Sequence, residues 1–249
     1  MSPGRNTPGL VVLDKDGVLL DFAALWVAVT ERRIRLIRAC AGSRAPDADE
    51  LGTWLGLRVT GKPCPVGRLV RQPGSRTLAE LSDWLGERGV AEDRLARLPE
   101  VFRQAFASLP DDAYRVLPGA AEAMRQLQDA GWTLAVATSD TRAHALESLA
   151  RAGLSPLPSL LVGGDEVRQA KPAPDLLLEA CRRAGVAAYR TLAIGDTPGD
   201  LEMARAGGAA RAYAVTCGVA TADELGPLAT AVFPDLAAAA GHILAHGLS

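Results

Sequence analysis

The chain has 249 residues, of which 48% are hydrophobic, and its formal net charge at pH 7 is −2. This length can bury a sizeable core in one large or two modest domains, and the near-neutral charge provides no global basic field for nucleic acid. No apolar run approaches the ~20 residues that span a bilayer, and the polar stretch 1–8 lacks the apolar segment of a signal peptide. Four widely spaced cysteines without a CxxC pair indicate a reducing compartment. We therefore expect a cytoplasmic protein with no nucleic-acid or membrane partner.

An acidic pair lies at the end of the first strand-like run, 10–14, in which residues 10–13 are continuous and apolar. Asp14 and Asp16 are two residues apart, so both carboxylates would leave the end of a strand on the same side. Lys15, between them, is expected to point to the opposite face. The two like charges would repel, and Mg²⁺ would neutralise them, because it takes carboxylates, waters and substrate phosphate as ligands. Alone, the motif is equally consistent with an Asp-Gly turn.

More than a hundred residues separate this strand from the next one, which is far more than an ordinary crossover needs. Helical periodicity over 22–40 and 91–108, with a short helix at 78–85, predicts a helical domain inserted after the first strand. The boundaries divide the chain into a core domain, 1–20 with 115–249, and an inserted domain, 21–114, with hinges near 17–21 and 112–118.

Strand-like runs and helices then alternate, which predicts a parallel sheet covered by helices. Several of the helices begin near Pro and end before Gly, the expected asymmetry of helix termini. The predicted strands are 132–138, 159–163, 191–195, 211–215 and 231–233, and the predicted helices are 120–130, 141–152, 174–184 and 235–245.

Polar side chains follow two of these later strands. Thr138 and Ser139 come after the second strand, and Asp196 and Asp200 come after the fourth. Lys171 lies between them in a proline-rich loop, and it is one of only three lysines in a chain that otherwise uses arginine. Because ligands bind outside the carboxyl ends of parallel strands, these side chains should gather around the first acidic pair.

The four motifs, in this order, resemble those of the haloacid dehalogenase-like (HAD) hydrolase superfamily. They are DxDG, an apolar run ending in Thr/Ser, a lone Lys before Pro, and GDxxxD, and they extend over residues 10–200. The phosphoglycolate phosphatase-like branch fits the layout best. The resemblance implies an α/β fold: a Rossmann-like parallel sheet with helices on both faces and an inserted, mainly α-helical cap domain that closes over the active site.

The resemblance also implies a function: Mg²⁺-dependent hydrolysis of a small phosphomonoester, phosphoglycolate-like or a sugar phosphate, through an aspartyl-phosphate. Asp14 would be the nucleophile and Asp16 the general acid and base. The implied catalytic residues are Asp14, Asp16, Thr138 and Lys171. The implied substrate ligands are Thr138, Ser139 and Lys171. The implied metal ligands are Asp14, Asp196 and the backbone carbonyl of Asp16. Asp200 would orient a metal-bound water or Lys171.

Basic residues in the segment 56–76 could receive a second anionic group of the substrate, and Lys62 and Arg68 are the candidates. Asp140 is interpreted as a plain helix N-cap. His144 matches no ligand spacing and is expected to be an ordinary surface or core residue.

Other chemistries of the superfamily stay open to different degrees. A phosphosugar mutase of the β-phosphoglucomutase type uses the same core residues, and a non-catalytic HAD-like binding protein is a further alternative, although all four motif acids are present. Dehalogenases and phosphonoacetaldehyde hydrolase lack an acid at the position of Asp16. The chain is expected to be a monomer or a homodimer.

Overall fold

The computed structural model describes residues 8–56, 74–106, 109–156, 158 and 160–248. The chain forms two compact units. One runs up to Phe22 and resumes at Tyr114, and the other is Ala23–Ala113.

A six-stranded parallel sheet forms the centre of the first unit in the described residues. Its strand order is β3-β2-β1-β4-β5-β6, so the first strand lies between the second and the fourth. Leu13 at the end of β1 pairs with Val136 on one side and Ile194 on the other. The predicted parallel sheet is confirmed. The strands are β1 (Leu10–Leu13), β2 (Thr133–Ala137), β3 (Leu160–Val162), β4 (Thr191–Gly195), β5 (Arg211–Val215) and β6 (Ala231–Phe233).

Both faces of this sheet are buried, which explains why its strands are continuous apolar runs. Successive strand residues point to opposite faces, so Val11 and Leu13 enter one core cluster and Leu10 and Val12 enter another. The predicted helices on both faces are therefore confirmed. The first cluster is closed by helices Ala120–Asp129, Arg142–Arg151 and Leu236–His246, and the second by helices Asp175–Ala184, Pro198–Ala206 and Ala222–Leu225.

The second unit is helical throughout its described secondary structure. Its apolar core includes Ile37, Leu51, Leu85 and Phe102. The described part of the stretch 91–108, where periodicity predicts helix, forms two short helices, because Pro99 lacks a backbone N–H and is found in the first turn of the second one. The helices are Phe22–Ala41, Ala48–Leu55, Gly74–Glu87, Glu92–Leu95 and Leu98–Gln104.

The helix Ala48–Leu55 was missed at the sequence level although its end signals are present. Asp47 accepts a hydrogen bond from the backbone N–H of Glu50 (2.7 Å), and Gly56 ends the helix at φ 104°. None of the helices in the described residues has the length and apolar character required to cross a membrane.

Leu127 tests the core between the sheet and the helix Ala120–Asp129. Its side chain is fully buried, so Leu127→Ala should lower the free energy of unfolding by about 2–5 kcal/mol. Asp129→Ala, at an exposed position of the same helix, should change it by no more than about 0.5 kcal/mol. Urea unfolding followed by circular dichroism measures both. Equal effects of the two variants would contradict this assignment of the core.

Candidate active site

The carboxyl ends of β1 and β4 bring acidic side chains together at the centre of the sheet. The chain leaves β1 for β2 on one side and later returns to β4 on the other, so a crevice is expected where the strand order reverses. The backbone N–H of Asp14 donates to the carbonyl of Ile194 (2.9 Å), which fixes the first acid beside the end of β4. Asp196 follows β4 directly.

Lys171 forms ion pairs with two acidic side chains, those of Asp14 and Asp200. Its ammonium lies 2.6 Å from the Oδ1 atom of Asp14 and 2.6 Å from the Oδ1 atom of Asp200, and its side chain is 9% exposed. The other carboxylate oxygen of Asp200 accepts a hydrogen bond from the backbone N–H of Thr197 (3.0 Å), as part of a capping box at the start of the helix Pro198–Ala206. Asp200 therefore both caps this helix and forms an ion pair with Lys171.

Asp196 is completely buried, and its two oxygens have different surroundings. Oδ2 accepts a hydrogen bond from the backbone N–H of Val219 (2.9 Å), whereas Oδ1 has no hydrogen-bond partner among the described residues. Two glycines make room for this carboxylate: a Cβ atom would lie 2.2 Å from Oδ2 at Gly17 and 2.0 Å from it at Gly218. A buried carboxylate oxygen without a donor is a position that a cation would satisfy.

Asp14, Asp196 and Asp200 each offer an oxygen within 4.8 Å of the others. Burial raises the pKa of Asp14 to about 7; Lys171 opposes this shift, and the neighbouring Asp200 and Asp16 add to it. Burial, with repulsion from Asp14 and Asp200, also raises the pKa of Asp196 well above its usual range. A set of hard oxygen donors with excess negative charge fits a divalent cation such as Mg²⁺.

Thr138 and Ser139 follow β2 at the same edge of the sheet. Thr138 is buried, its backbone N–H donates to the carbonyl of Val162 (3.1 Å), and its hydroxyl accepts a hydrogen bond from the backbone N–H of Asp140 (3.2 Å). Ser139 is exposed. The N-cap of the following helix is Thr141, so the interpretation of Asp140 as the N-cap was wrong.

Lys15 does not point away from the acids, and this expectation was wrong as well. Its side chain is completely buried, and its ammonium lies 2.8 Å from Oδ1 of Asp16 and 3.4 Å from Oδ2 of Asp140. Strand alternation ends at Leu13, where β1 ends. Beyond it the chain turns, with the backbone N–H of Gly17 donating to the carbonyl of Leu20 (2.7 Å), so the two-residue period no longer sets the direction of the side chains.

The contact between Asp140 and His144 was not predicted from the sequence. The imidazole Nδ1 atom of His144 pairs with the carboxylate of Asp140 one helical turn earlier. The i,i+4 spacing could have indicated this contact. Burial would raise the pKa of the Asp140 carboxyl, but contacts with His144 and Lys15 outweigh it and hold that pKa below its usual value.

The candidate substrate ligands Lys62 and Arg68 lie outside the described residues.

A family model for haloacid dehalogenase-like hydrolases matches residues 8–208. The chain belongs to this family. The match includes all four motifs, so the predicted superfamily is confirmed.

Curated relatives of this HAD chain include proteins named as phosphatases. The "Probable phosphatase IndB" of Dickeya dadantii (strain 3937) is 42% identical over 125 residues, which cover 50% of this chain and 53% of that protein. A "Phosphoglycolate phosphatase" of Pseudomonas savastanoi pv. phaseolicola (strain 1448A / Race 6) is 30% identical over 82% of this chain and 68% of its own. The predicted branch and the predicted class of enzyme, a hydrolase of the phosphatase type, are thereby confirmed.

Solved structures show the same HAD fold. A putative β-phosphoglucomutase from Thermotoga maritima superposes with a TM-score of 0.66 at 24% identity, covering 95% of this chain and 97% of that one. At this level of identity the likeness shows the fold alone.

The crowding of acids predicts an unusual dependence of stability on pH when divalent cations are chelated. In the unfolded chain an aspartate titrates near ~3.9, whereas folded Asp14 titrates at about 7. Between these pH values the folded state therefore binds more protons than the unfolded state. As a result, the free energy of unfolding decreases as the pH rises from ~3.9 to about 7. Asp196→Asn removes one of the repelling charges and should raise the free energy of unfolding at pH 8 by about 1 kcal/mol or more, since one pKa unit corresponds to about 1.4 kcal/mol.

Urea unfolding of the wild type and Asp196→Asn in EDTA, at pH 8 and near pH 4, measures this effect. The advantage of the variant should vanish at the lower pH, where the unfolded aspartates also bind protons. A difference independent of pH would contradict the electrostatic explanation.

Proposed function

We propose that the protein is a Mg²⁺-dependent phosphomonoester hydrolase that acts through an aspartyl-phosphate on a small phosphorylated metabolite. The observation that carries the proposal is the placement of Asp14 at the end of the central strand, paired with Lys171 and within 4.8 Å of Asp196 and Asp200. Membership of the HAD family and the names of the relatives agree with it.

In this proposal Asp14 is the nucleophile. One of its carboxylate oxygens forms a bond to phosphorus while the bond from phosphorus to the leaving oxygen breaks, giving the aspartyl-phosphate and the alcohol. The attack requires the ionised carboxylate. Lys171 favours that form, as would any cation bound to the neighbouring acids.

Asp16 moves the protons. It donates a proton to the leaving oxygen in the first step and takes one from the attacking water in the second. That water displaces Asp14 from phosphorus, so inorganic phosphate leaves and both acids return to their starting forms. The side chain of Asp16 is 11% exposed, which leaves part of it accessible to a substrate.

Thr138, Ser139 and Lys171 would bind the phosphoryl oxygens. Lys171 supplies a compact positive charge that burial and two carboxylates hold in place. Although burial by itself would lower it, Asp14 and Asp200 raise the pKa of Lys171, so the ammonium stays charged. The hydroxyl of Thr138 accepts a hydrogen bond from the backbone N–H of Asp140 and can still donate one to a phosphoryl oxygen.

The bound metal would be held by the carboxylates of Asp14 and Asp196 and by the backbone carbonyl of Asp16. Its chemistry would be charge neutralisation, both of the acids and of the phosphoryl group. The buried Oδ1 atom of Asp196 has no hydrogen-bond partner among the described residues, which supports Asp196 as a metal ligand. Asp200 already binds Lys171 and Thr197, which favours a supporting role for it.

The substrate proposed is a phosphoglycolate-like or sugar phosphate. A phosphosugar mutase would use the same core side chains, but the relatives at 30% identity or more that support the branch are named as phosphatases. A cytoplasmic location and a monomeric or homodimeric state stay predictions.

Phosphate release tests the proposed function. The wild type should hydrolyse p-nitrophenyl phosphate and at least one ester of a panel containing 2-phosphoglycolate, sugar phosphates and nucleotides. Activity should be present with Mg²⁺ and absent with EDTA. Asp14→Asn should lose at least about a thousandfold in kcat, since it removes the nucleophile. If the folded wild type releases no phosphate, or if Asp14→Asn keeps the activity, the proposal is wrong.

The basic segment of the second unit gives a separate prediction. If Lys62 or Arg68 binds a second anionic group of the substrate, its replacement by Ala should raise KM for 2-phosphoglycolate about tenfold or more, the loss of one charge-assisted hydrogen bond. Hydrolysis of p-nitrophenyl phosphate, which has no second anionic group, is the control and should be unchanged. Unaltered kcat/KM for every charged ester in both variants would remove this assignment.

A further inference from the structure

Lys15 has no part in the mechanism proposed above, yet it is among the most completely buried side chains of the protein. Burial of a charged ammonium is costly unless carboxylates or other acceptors compensate it. Its backbone carbonyl is engaged too, and accepts hydrogen bonds from the N–H groups of Leu19 (3.0 Å) and Leu20 (2.9 Å). The side chain and backbone of Lys15 are therefore both fixed next to the acidic pair.

The ammonium of Lys15 lies between two carboxylates. It donates a hydrogen bond to Oδ1 of Asp16 at 2.8 Å and lies 3.4 Å from Oδ2 of Asp140. Asp140 is held by two further contacts, because its Oδ1 atom accepts a hydrogen bond from the backbone N–H of Thr141 (2.9 Å) and His144 pairs with its Oδ2 atom. Lys15 thus connects Asp16 to the start of the helix Arg142–Arg151.

This arrangement fixes the rotation of the Asp16 side chain. An unrestrained aspartate samples several rotamers, and a hydrogen bond from a buried donor to one carboxylate oxygen determines where the other oxygen points. Lys15 is 0% exposed whereas Asp16 is 11% exposed, so a substrate could reach the acid but not the lysine. Lys15 would therefore act on the reaction mainly through Asp16, the motif acid that its ammonium contacts.

We infer that Lys15 is a positioning residue that holds the Asp16 carboxyl in the orientation needed for proton transfer to the leaving group, with Asp140 and His144 as its anchor. The inference rests on the proposed phosphatase function. It assigns a role to the residue between the two acids of the first motif. Among the described residues, Lys171 would orient Asp14 and Lys15 would orient Asp16.

Two esters that differ in their need for proton transfer test this role. Phenyl phosphate and p-nitrophenyl phosphate have nearly the same shape, but the nitrophenolate leaves readily without a proton and phenolate does not. Lys15→Met removes the ammonium and keeps the length of the side chain. This substitution should lower kcat/KM for phenyl phosphate by about 10–100-fold, which is part of the usual contribution of a general acid. It should lower kcat/KM for p-nitrophenyl phosphate by less than about threefold. Inhibition by inorganic phosphate should be unchanged.

The outcomes separate this inference from the proposed function. If the wild type hydrolyses both esters but Lys15→Met loses activity equally on them, or loses none, the positioning role is wrong and the proposed function stands. If the wild type hydrolyses neither ester, the proposed function fails and the inference fails with it.

Nuclear magnetic resonance tests the contact in the wild type, even if Lys15→Met does not fold. With ¹⁵N-labelled lysine, the three lysines of the chain give at most three ammonium signals. We expect a slowly exchanging Lys15 signal that shifts in Asp16→Asn. A Lys15 ammonium signal that does not respond to Asp16→Asn would overturn the inference.

Discussion

The ion pairs of Lys171 with Asp14 and Asp200 are the interaction on which the arrangement of this site depends. Each N–O distance is 2.6 Å, and the groups involved are almost wholly buried. Without this ammonium, three carboxylates would lie close together in a region of low dielectric and repel one another. The lysine lies on a loop between β3 and the helix Asp175–Ala184, so the pairs join the end of β1 to segments distant in sequence.

Lys171 does not balance all the negative charge of the site, and the remaining charge indicates what the site can bind. The pKa of Asp14 is still raised to about 7, and Asp196 keeps a buried oxygen without a donor in the described residues. A site optimised for stability alone would not retain these charges, and excess charge is typical of a site that binds a further cation. The glycines around Asp196 leave space for its carboxylate at the cost of backbone freedom in the unfolded chain.

Lys15 belongs to a second group of charged side chains. Lys15, Asp16, Asp140 and His144 form a chain of contacts that runs from the first motif to the helix after β2. The two acids of the first motif thus form ion pairs with different lysines. This separation lets one carboxylate be held for attack on phosphorus and the other for proton transfer, the two roles proposed for Asp14 and Asp16.

Much of the fold could be predicted because its signals are local. The strands of the sheet are short apolar runs, buried on both faces, and Pro and Gly mark several helix ends, so strands β1 to β6 appear within a residue or two of their predicted bounds. Pro99 breaks a stretch that periodicity alone made continuous, and the helix Ala48–Leu55 was missed despite its Asp47 cap. In the site, the meeting of Asp14, Lys171, Asp196 and Asp200 could be expected because the carboxyl ends of parallel strands share one edge.

The sequence by itself determined the family, the parallel sheet and the set of acids and lysine that meet at its centre, because motif order and strand ends are properties of the chain in one dimension. The tertiary structure decided which charges touch. Strand alternation predicted that Lys15 would point away from the acids, but the alternation ends with β1 at Leu13, and the ammonium contacts Asp16. Only the folded chain brings Asp140 to that ammonium, since its position depends on how the segment after β2 packs beside the first motif.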